Sequence, residues 1–338
     1  MKAVAYRQSL PITEADSLFD VELPDPPQPA GRDLLVQVKA ISVNPVDTKI
    51  RVRTAPPAGE VKVLGWDAAG IVVKTGPEVQ FFRPGDEVWY SGSIDRSGSN
   101  AELQLMDERI VGKKPASLSF AEAAALPLTT LTAWELLFER LGVPRGQTAA
   151  GQSLLIVGAA GGVGSILTQL ACQLTEVNVI GSASRPETVA WVRSLGVEHV
   201  IDHRQPLSAE LARIGIPQVE YVAGLTHTGE HYPEIVESLA PQGHFGLIDD
   251  PGPIDVSLLK RKSISLHWEY MFTRAFFKTA DMIEQHQILE EVARLVDTGV
   301  IRTTLGEHFG RINAANLKRA HALIESGTAK GKIVLEGF

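Results

Sequence analysis

The segment Leu154 to Gln169, LLIVGAAGGVGSILTQ, carries the clearest chemical signal in the chain. Four apolar residues, Leu154 to Val157, suit a buried parallel strand. The glycines that follow let the backbone turn sharply into a helix at about Ser165. A helix start presents unpaired backbone NH groups and the positive end of its dipole, and without Cβ atoms in the way a pyrophosphate can approach the main chain. The run Gly158, Ala159, Ala160, Gly161, Gly162, Val163, Gly164 is therefore read as a dinucleotide-binding loop, with Ala159 where the usual G-x-G-x-x-G has its first glycine. A second apolar run, Val177 to Gly181, follows after one helix and completes the strand, helix, strand order that such a loop requires.

The tip of that second strand selects the cofactor. A unit that binds NAD carries a carboxylate about 20 residues past the glycines to hold the ribose hydroxyls. Here the tip reads GSASRPET, with no acid between Val177 and Pro186 and with Ser182, Ser184 and Arg185 instead. Hydroxyls and a guanidinium suit a 2′-phosphate, which a carboxylate would repel, so NADP(H) is expected. His203 and Arg204, one strand later, stand at an adjacent tip and are candidates to close over the same phosphate.

Composition removes other classes. The formal charge of −8 argues against non-specific nucleic-acid binding. No apolar run approaches the roughly 18 residues of a membrane span. The start of the chain, MKAVAYRQSLPITEAD, lacks the apolar core of a secretory signal, so a cytoplasmic protein is expected. The single cysteine, Cys172, lies in the apolar pattern LTQLACQL, where it reads as packing, and one thiol excludes any multi-cysteine zinc site. His227 and His231 are four apart but fall in LTHTGEHYPE, which reads as a loop entering a helix, so no metal site is expected.

These residues need elements to hold them. From Met1 to about Leu126 short strands alternate with Pro and Gly turns: KAVAYR, LLVQVKAISV, AAGIVVKTG, DEVWYSG and AELQLMD. They predict a compact antiparallel barrel. A helical pattern starts near Ser119 and is interrupted at Pro127. Strand candidates LLIVG, VNVIGSA, HVIDH, VEYVAGL and HFGLID then alternate with helices at SILTQLACQL, PETVAWVRSLG and YPEIVESLAP, as in a doubly wound α/β sheet. The last seventy residues hold HWEYMFTRAFFK, helical patterns over Ile283 to Thr298 and Ala314 to Ser326, and a final strand, KIVLEGF.

Five ordered segments, GWDAAGIV, RPGDEV, PLTTLTAWELL, GAAGGVG and GKIVL, together resemble the medium-chain dehydrogenase/reductase superfamily over essentially the whole chain. The nearest branch is the zinc-free quinone oxidoreductase group, whose members are often labelled zinc-type alcohol dehydrogenase-like. The resemblance implies a GroES-like domain formed by both chain ends, 1–126 and 267–338, around a Rossmann domain, 127–266. It also implies an inter-domain cleft and a homodimer joined through the Rossmann sheet. Zinc alcohol dehydrogenases carry a cysteine ligand where this chain has Asn44-Pro45-Val46-Asp47, and a four-cysteine lobe that this chain cannot build, so no zinc is expected.

By the same resemblance Asn44 and Asp47 lie near the nicotinamide, and Thr130 and Thr132 touch it. Some relatives have a tyrosine two residues after Asp47; this chain has Lys49, an alternative proton donor. The competing roles are a turn for Asn44, before Pro45, and a helix cap for Asp47. Trp66, Tyr90, Tyr270 and Phe272 are candidates for a substrate pocket, with core packing as the competing role, and HWEYMF also suits a sheet-edge strand at a dimer. Without a Lewis acid an alcohol is hard to oxidise, whereas hydride addition to a conjugated carbonyl needs only a hydrogen-bond donor at the oxygen. The expected activity is NADPH-dependent reduction of a quinone or α,β-unsaturated carbonyl. A low-turnover NADPH-binding sensor or structural protein and an NADP-linked alcohol dehydrogenase are the alternatives.

Overall fold

The computed structural model describes residues 1–146 and 150–338. Its chain forms two compact units, Met1–Leu131 with Phe272–Phe338, and Thr132–Met271. The division falls inside the helix Pro127–Trp134 on one side and just before the helix Phe272–Phe277 on the other.

In the Thr132–Met271 unit, six strands form one parallel sheet in the order His199–Ile201, Asn178–Ser182, Ser153–Val157, Val219–Gly224, Leu239–Leu247, Ser265–Trp268. Numbered by sequence within the unit this is 3-2-1-4-5-6, the doubly wound order in which the succession of strands reverses beside the first strand while all six stay parallel. Ser153–Val157 is buried at every position, as a parallel strand covered on both faces must be. Leu155, Ile180, Val222 and Phe245 meet in the core, each worth about 1.5 to 3 kcal/mol when fully buried. The helix Leu207–Arg213 is an addition to the sequence reading, being short enough to blur its periodicity, and the sheet-edge strand offered at HWEYMF runs instead over Ser265–Trp268.

The other unit is antiparallel apart from the pairing of Leu305–His308 with Lys332–Glu336. Its larger sheet runs Leu305–His308, Lys332–Glu336, Asp33–Val43, Ala68–Thr75, Glu87–Tyr90, Val111–Lys113, and Leu103–Asp107 also pairs with Asp33–Val43. A smaller sheet joins Phe19–Glu22, Lys2–Tyr6 and Lys62–Val63. The eleven-residue strand Asp33–Val43 is central, and the C-terminal strand lies along it. Both chain ends therefore build this unit.

The helical region after Ser119 proves to be three pieces. Ser119 caps Phe120–Ala124 by accepting from the Glu122 NH at 3.2 Å. Pro127 opens Pro127–Trp134, where its missing NH costs nothing. The last piece, Glu135–Arg140, widens to π geometry and closes with Leu141 N donating to Leu136 O at 2.9 Å. No helix among the described residues is long and apolar enough to cross a membrane.

Candidate active site

Sheet register alone assembles one polar cluster in the first unit. Val334 pairs with Ser42 and Ile333 with Val43, which sets Lys332 beside Asn44. On the other side Ile41 pairs with Ala68, and Ser42 N donates to Asp67 O at 3.0 Å. Ser42, Asn44, Asp67 and Lys332 are thereby buried together. Asp67 Oδ2 accepts from Ser42 Oγ at 2.7 Å, Asn44 Nδ2 at 3.1 Å and Lys332 Nζ at 2.9 Å. Its other oxygen accepts from Leu128 N at 3.2 Å, so the carboxylate also faces the positive start of the helix Pro127–Trp134. Lys332 Nζ donates in addition to Asn44 Oδ1. The Asn44 amide is thus held at both ends.

Asn44 is also the residue before the helix Pro45–Arg53, and Asp47 in its first turn accepts from Asn44 N at 2.6 Å. The capping role is real here. Burial pushes the Asp47 carboxyl up to about 7, with Asp67 adding to the shift and the Asn44 NH and Lys332 opposing it. Near neutral pH this carboxyl can hold or give a proton. Lys49, one half-turn further on, is half-buried.

Trp66 and Phe272 meet edge to face with ring centroids 6.4 Å apart, and both are buried. Trp66 Nε1 donates to Ser93 O at 3.1 Å. Tyr90 is fully buried, and its hydroxyl donates to Gln104 Oε1 at 2.9 Å. The structure therefore gives Trp66 and Tyr90 the core role that competed with the pocket. Tyr270 is half exposed and lies in the other unit. Thr132 is buried. Thr130 is buried too, and its hydroxyl has no hydrogen-bond partner among the described residues. An orphaned hydroxyl suits a ligand's polar group.

In the second unit the glycine loop has the expected form. Gly158 takes φ +90°, and a Cβ on Gly164 would meet Gly158 O at 2.4 Å, so helix and loop approach as only glycine allows. Gly161 precedes the helix Gly162–Leu174 without a side-chain cap. The first helical bond runs from Ser165 N to Gly161 O at 2.9 Å, which leaves the NH groups of Gly162, Val163 and Gly164 ahead of the ladder. Ala159 and Ala160 are buried beneath the loop. These features fit a dinucleotide pyrophosphate.

The strand tip differs in detail from the sequence reading. Ser182 is buried, and its hydroxyl accepts from Gly158 N at 3.0 Å, so it braces the glycine loop. Ser184 and Arg185 are half-buried at the surface. Arg185 Nε lies 3.2 Å from Glu187 Oε1, an acid two residues beyond the tip that moderates its charge. Arg204 is held by Asp202 through Nε and Nη2 at 3.0 and 2.6 Å, away from the shared role expected with His203. His203 is half-buried.

A second buried acidic group lies in this unit. Glu135, on the π turn, and Glu269, just after the edge strand, face one another. Arg140 Nε sits 2.8 Å from Glu269 Oε2 and Nη2 3.8 Å from Glu135 Oε2. Burial first and Glu135 second hold the Glu269 carboxyl well above its ordinary range, against the pull of Arg140.

Sequence reasoning passed over Asp67, Lys332 and Glu135. The signal for the first two was a charge set directly against an apolar run, in GWDAAGIV and GKIVL. Cys172 is half-buried, and burial pushes its thiol up to about 11, which suits packing. Among the described residues no three histidines, cysteines or carboxylates are grouped to hold a metal ion.

Residues 30–133 match the alcohol dehydrogenase GroES-like domain, and residues 195–335 match the zinc-binding dehydrogenase domain. A zinc-type alcohol dehydrogenase-like protein of Staphylococcus epidermidis is 38% identical over 337 residues, covering 99% of each chain. The chain belongs to the medium-chain dehydrogenase/reductase superfamily. Within it, a protein of Rhizobium etli CFN 42 described as a zinc-dependent alcohol dehydrogenase is 58% identical, with a TM-score of 0.96 over 100% of this chain and 98% of that one. Escherichia coli quinone oxidoreductase, solved with NADPH, is 26% identical, with a TM-score of 0.85 over 99% and 100%. The chain is an oxidoreductase of this superfamily, built from a Rossmann sheet and a GroES-like domain.

Proposed function

We propose that this chain is an NADPH-dependent reductase that delivers hydride to a quinone or an α,β-unsaturated carbonyl without a resident zinc ion. The observation that carries the reading is Lys332. Zinc needs three or four nitrogen, sulfur or oxygen ligands with free lone pairs. In the Asn44 cluster the ammonium of Lys332 already takes Asn44 Oδ1 and Asp67 Oδ2, and a buried cation there opposes a second one. The only cysteine lies elsewhere, on the helix Gly162–Leu174. The residues do not fit zinc.

They do fit a dinucleotide. The NH groups of Gly162, Val163 and Gly164 would hold its pyrophosphate, Ser184 and Arg185 its 2′-phosphate, and the unpartnered Thr130 hydroxyl a polar group of the nicotinamide end, with Thr132 beside it. When bound, NADPH supplies the hydride. Asp47, lifted to about 7, is the group on this chain suited to hold the proton that the reduced acceptor needs, with Lys49 as the other donor on the same helix. Lys332 and Asp67 fix the Asn44 amide, which leaves one Nδ2 hydrogen to donate to a carbonyl oxygen. Phe272, in the same unit as the Asn44 cluster, is the apolar group proposed for the acceptor. Likeness to a quinone oxidoreductase solved with NADPH supports this choice. The same reading has a cytoplasmic homodimer joined at the edge strand Ser265–Trp268, whose last residue, Trp268, and the following Tyr270 are each about half exposed.

Anaerobic mixing of purified protein with NADPH and a panel of quinones and enals, followed at 340 nm, tests the proposal. Turnover with NADPH and much less with NADH is expected. Tight NADPH binding with no acceptor reduced would favour the low-turnover binding protein instead. Arg185→Ala is expected to weaken NADPH binding by about 1 to 3 kcal/mol and to leave NADH nearly unchanged, measured by fluorescence titration.

A further inference from the structure

Three histidines converge on the face of the sheet where the strands end. His203 follows His199–Ile201, and its ring lies 6.1 Å from that of His231 in the helix Thr228–Ser238. His227 precedes that helix in a left-handed conformation at φ 51°, with Nδ1 2.8 Å from Thr226 Oγ1. Both ends of this group are tied to the dinucleotide loop. A Cβ on Gly158 would meet the Thr226 methyl at 2.8 Å, so the segment carrying His227 lies over the first glycine. At the other end Ala183 N donates to Ile201 O at 2.9 Å, which sets the Ser184 and Arg185 tip beside the tip carrying His203. The histidines thus span the strand ends from the glycine loop to the phosphate-reading tip. No three groups there are arranged for a metal among the described residues.

The charges around them are mostly spent. Asp202 is held by Arg204, Asp249 accepts from Thr228 N at 3.0 Å, and Glu187 faces Arg185. Glu230 is the remaining acid beside His231. Burial holds His203 and His231 below the ordinary histidine value, with His231, His227 and Arg204 adding at His203 and His227 adding at His231, while Asp202 opposes at the first and Glu230 and Asp249 at the second. The free protein therefore keeps His203 and His231 uncharged near neutral pH. A dianion reverses that balance, because a nearby negative charge favours protonated imidazole.

We propose that His203, His231 and His227 complete the dinucleotide site as a proton-accepting patch that reads the 2′-phosphate, so that NADPH binding takes up a proton from solvent. This deepens the cofactor reading above and rests on it. Arg185 shares its charge with Glu187, and Arg204 with Asp202, so a protonated imidazole supplies the further cation that the 2′-phosphate calls for.

The test measures NADPH and NADH dissociation constants of the purified protein from pH 6.5 to 8.5 by fluorescence titration. Calorimetry in two buffers of different ionisation enthalpy counts the protons. The expected NADPH affinity rises about fivefold or more from pH 8.5 to 6.5, within the limit of about tenfold per unit for one proton. NADH affinity should change less than about twofold, since it lacks the phosphate. In the His203→Asn, His231→Asn double variant the NADPH slope and the proton uptake should vanish, with NADH binding retained as evidence of folding. NADPH preferred over NADH with no slope, or with a slope that survives the double variant, overturns the patch and leaves the cofactor reading intact. NADPH bound no more tightly than NADH at every pH overturns the cofactor reading itself.

Discussion

The two units bury acid in opposite ways. Around Asp67 every charge has a partner: one carboxylate, one ammonium, an amide and a hydroxyl, all inaccessible to solvent. Around Glu269 the buried carboxyls of Glu269 and Glu135 and the part-exposed one of Glu139 share one guanidinium that is itself about one-third exposed, so a proton must make up the difference. Register explains the contrast. The first group is placed by paired backbone along Asp33–Val43, which fixes each side chain before any charge is considered. The second hangs on a π turn and on the end of an edge strand, where side chains and protons settle the balance. A balanced cluster fixes geometry, whereas an unbalanced one responds to pH.

Breaking the balanced cluster should have the largest effect. Lys332→Met leaves Asp67 buried without its cation and is expected to cost about 3 to 5 kcal/mol of folding free energy, read from the denaturant midpoint. Adding Asp67→Leu should recover most of that loss; a single variant costing under about 1 kcal/mol would contradict the pairing described.

His321 extends the comparison to a buried titratable group with no partner. Both ring nitrogens lack hydrogen bonds among the described residues, and burial with the nearby Arg51 pushes the imidazole down to about 3. The unfolded chain binds a proton here that the folded chain refuses, so stability is lost as pH falls below about 6.5 toward 3. His321→Leu should remove that loss and raise stability by about 2 kcal/mol at pH 5, with little change at pH 8. Equal shifts at both pH values would mean that packing, not protonation, sets the effect.

The smallest change is expected at Glu269, with the opposite pH sense. Its carboxyl is raised, so the folded chain keeps a proton that the unfolded chain releases, and stability falls as pH rises from about 4.5 through the raised value. Glu269→Gln should flatten that fall, read as a smaller drop in melting temperature between pH 5 and pH 8. An unchanged pH profile would mean that the two carboxyls do not share a proton.

How much of this was legible follows the same division. The glycine loop and the parallel sheet were readable because strand, turn and helix are adjacent in sequence: LLIVG, GAAGGVG and SILTQLACQL each carry their own pattern. The Asn44 cluster draws on residues 42, 44, 67 and 332, and only strand pairing reveals that Lys332 lies beside Asn44. Asn44 and Asp47 were singled out through resemblance, yet their capping contact and the ammonium that fixes the amide belong to the fold. Ser182 shows the limit from the other side, since the sequence marks it as polar at the right tip and the structure turns its hydroxyl inward to Gly158. Glu187, two residues beyond an acid-free tip, was visible in the sequence, but its contact with Arg185 depends on how the helix Pro186–Ser194 begins.

Hydride delivery from NADPH, as proposed, needs no metal at a site where Lys332 already takes the oxygen lone pairs of Asn44 and Asp67. One measurement meets it directly: zinc content and NADPH-linked quinone turnover determined on the same purified sample, before and after dialysis against a chelator. Zinc far below one ion per chain and turnover unchanged by the chelator are expected. Zinc at one ion per chain, with turnover lost on chelation and restored by zinc alone, would contradict it.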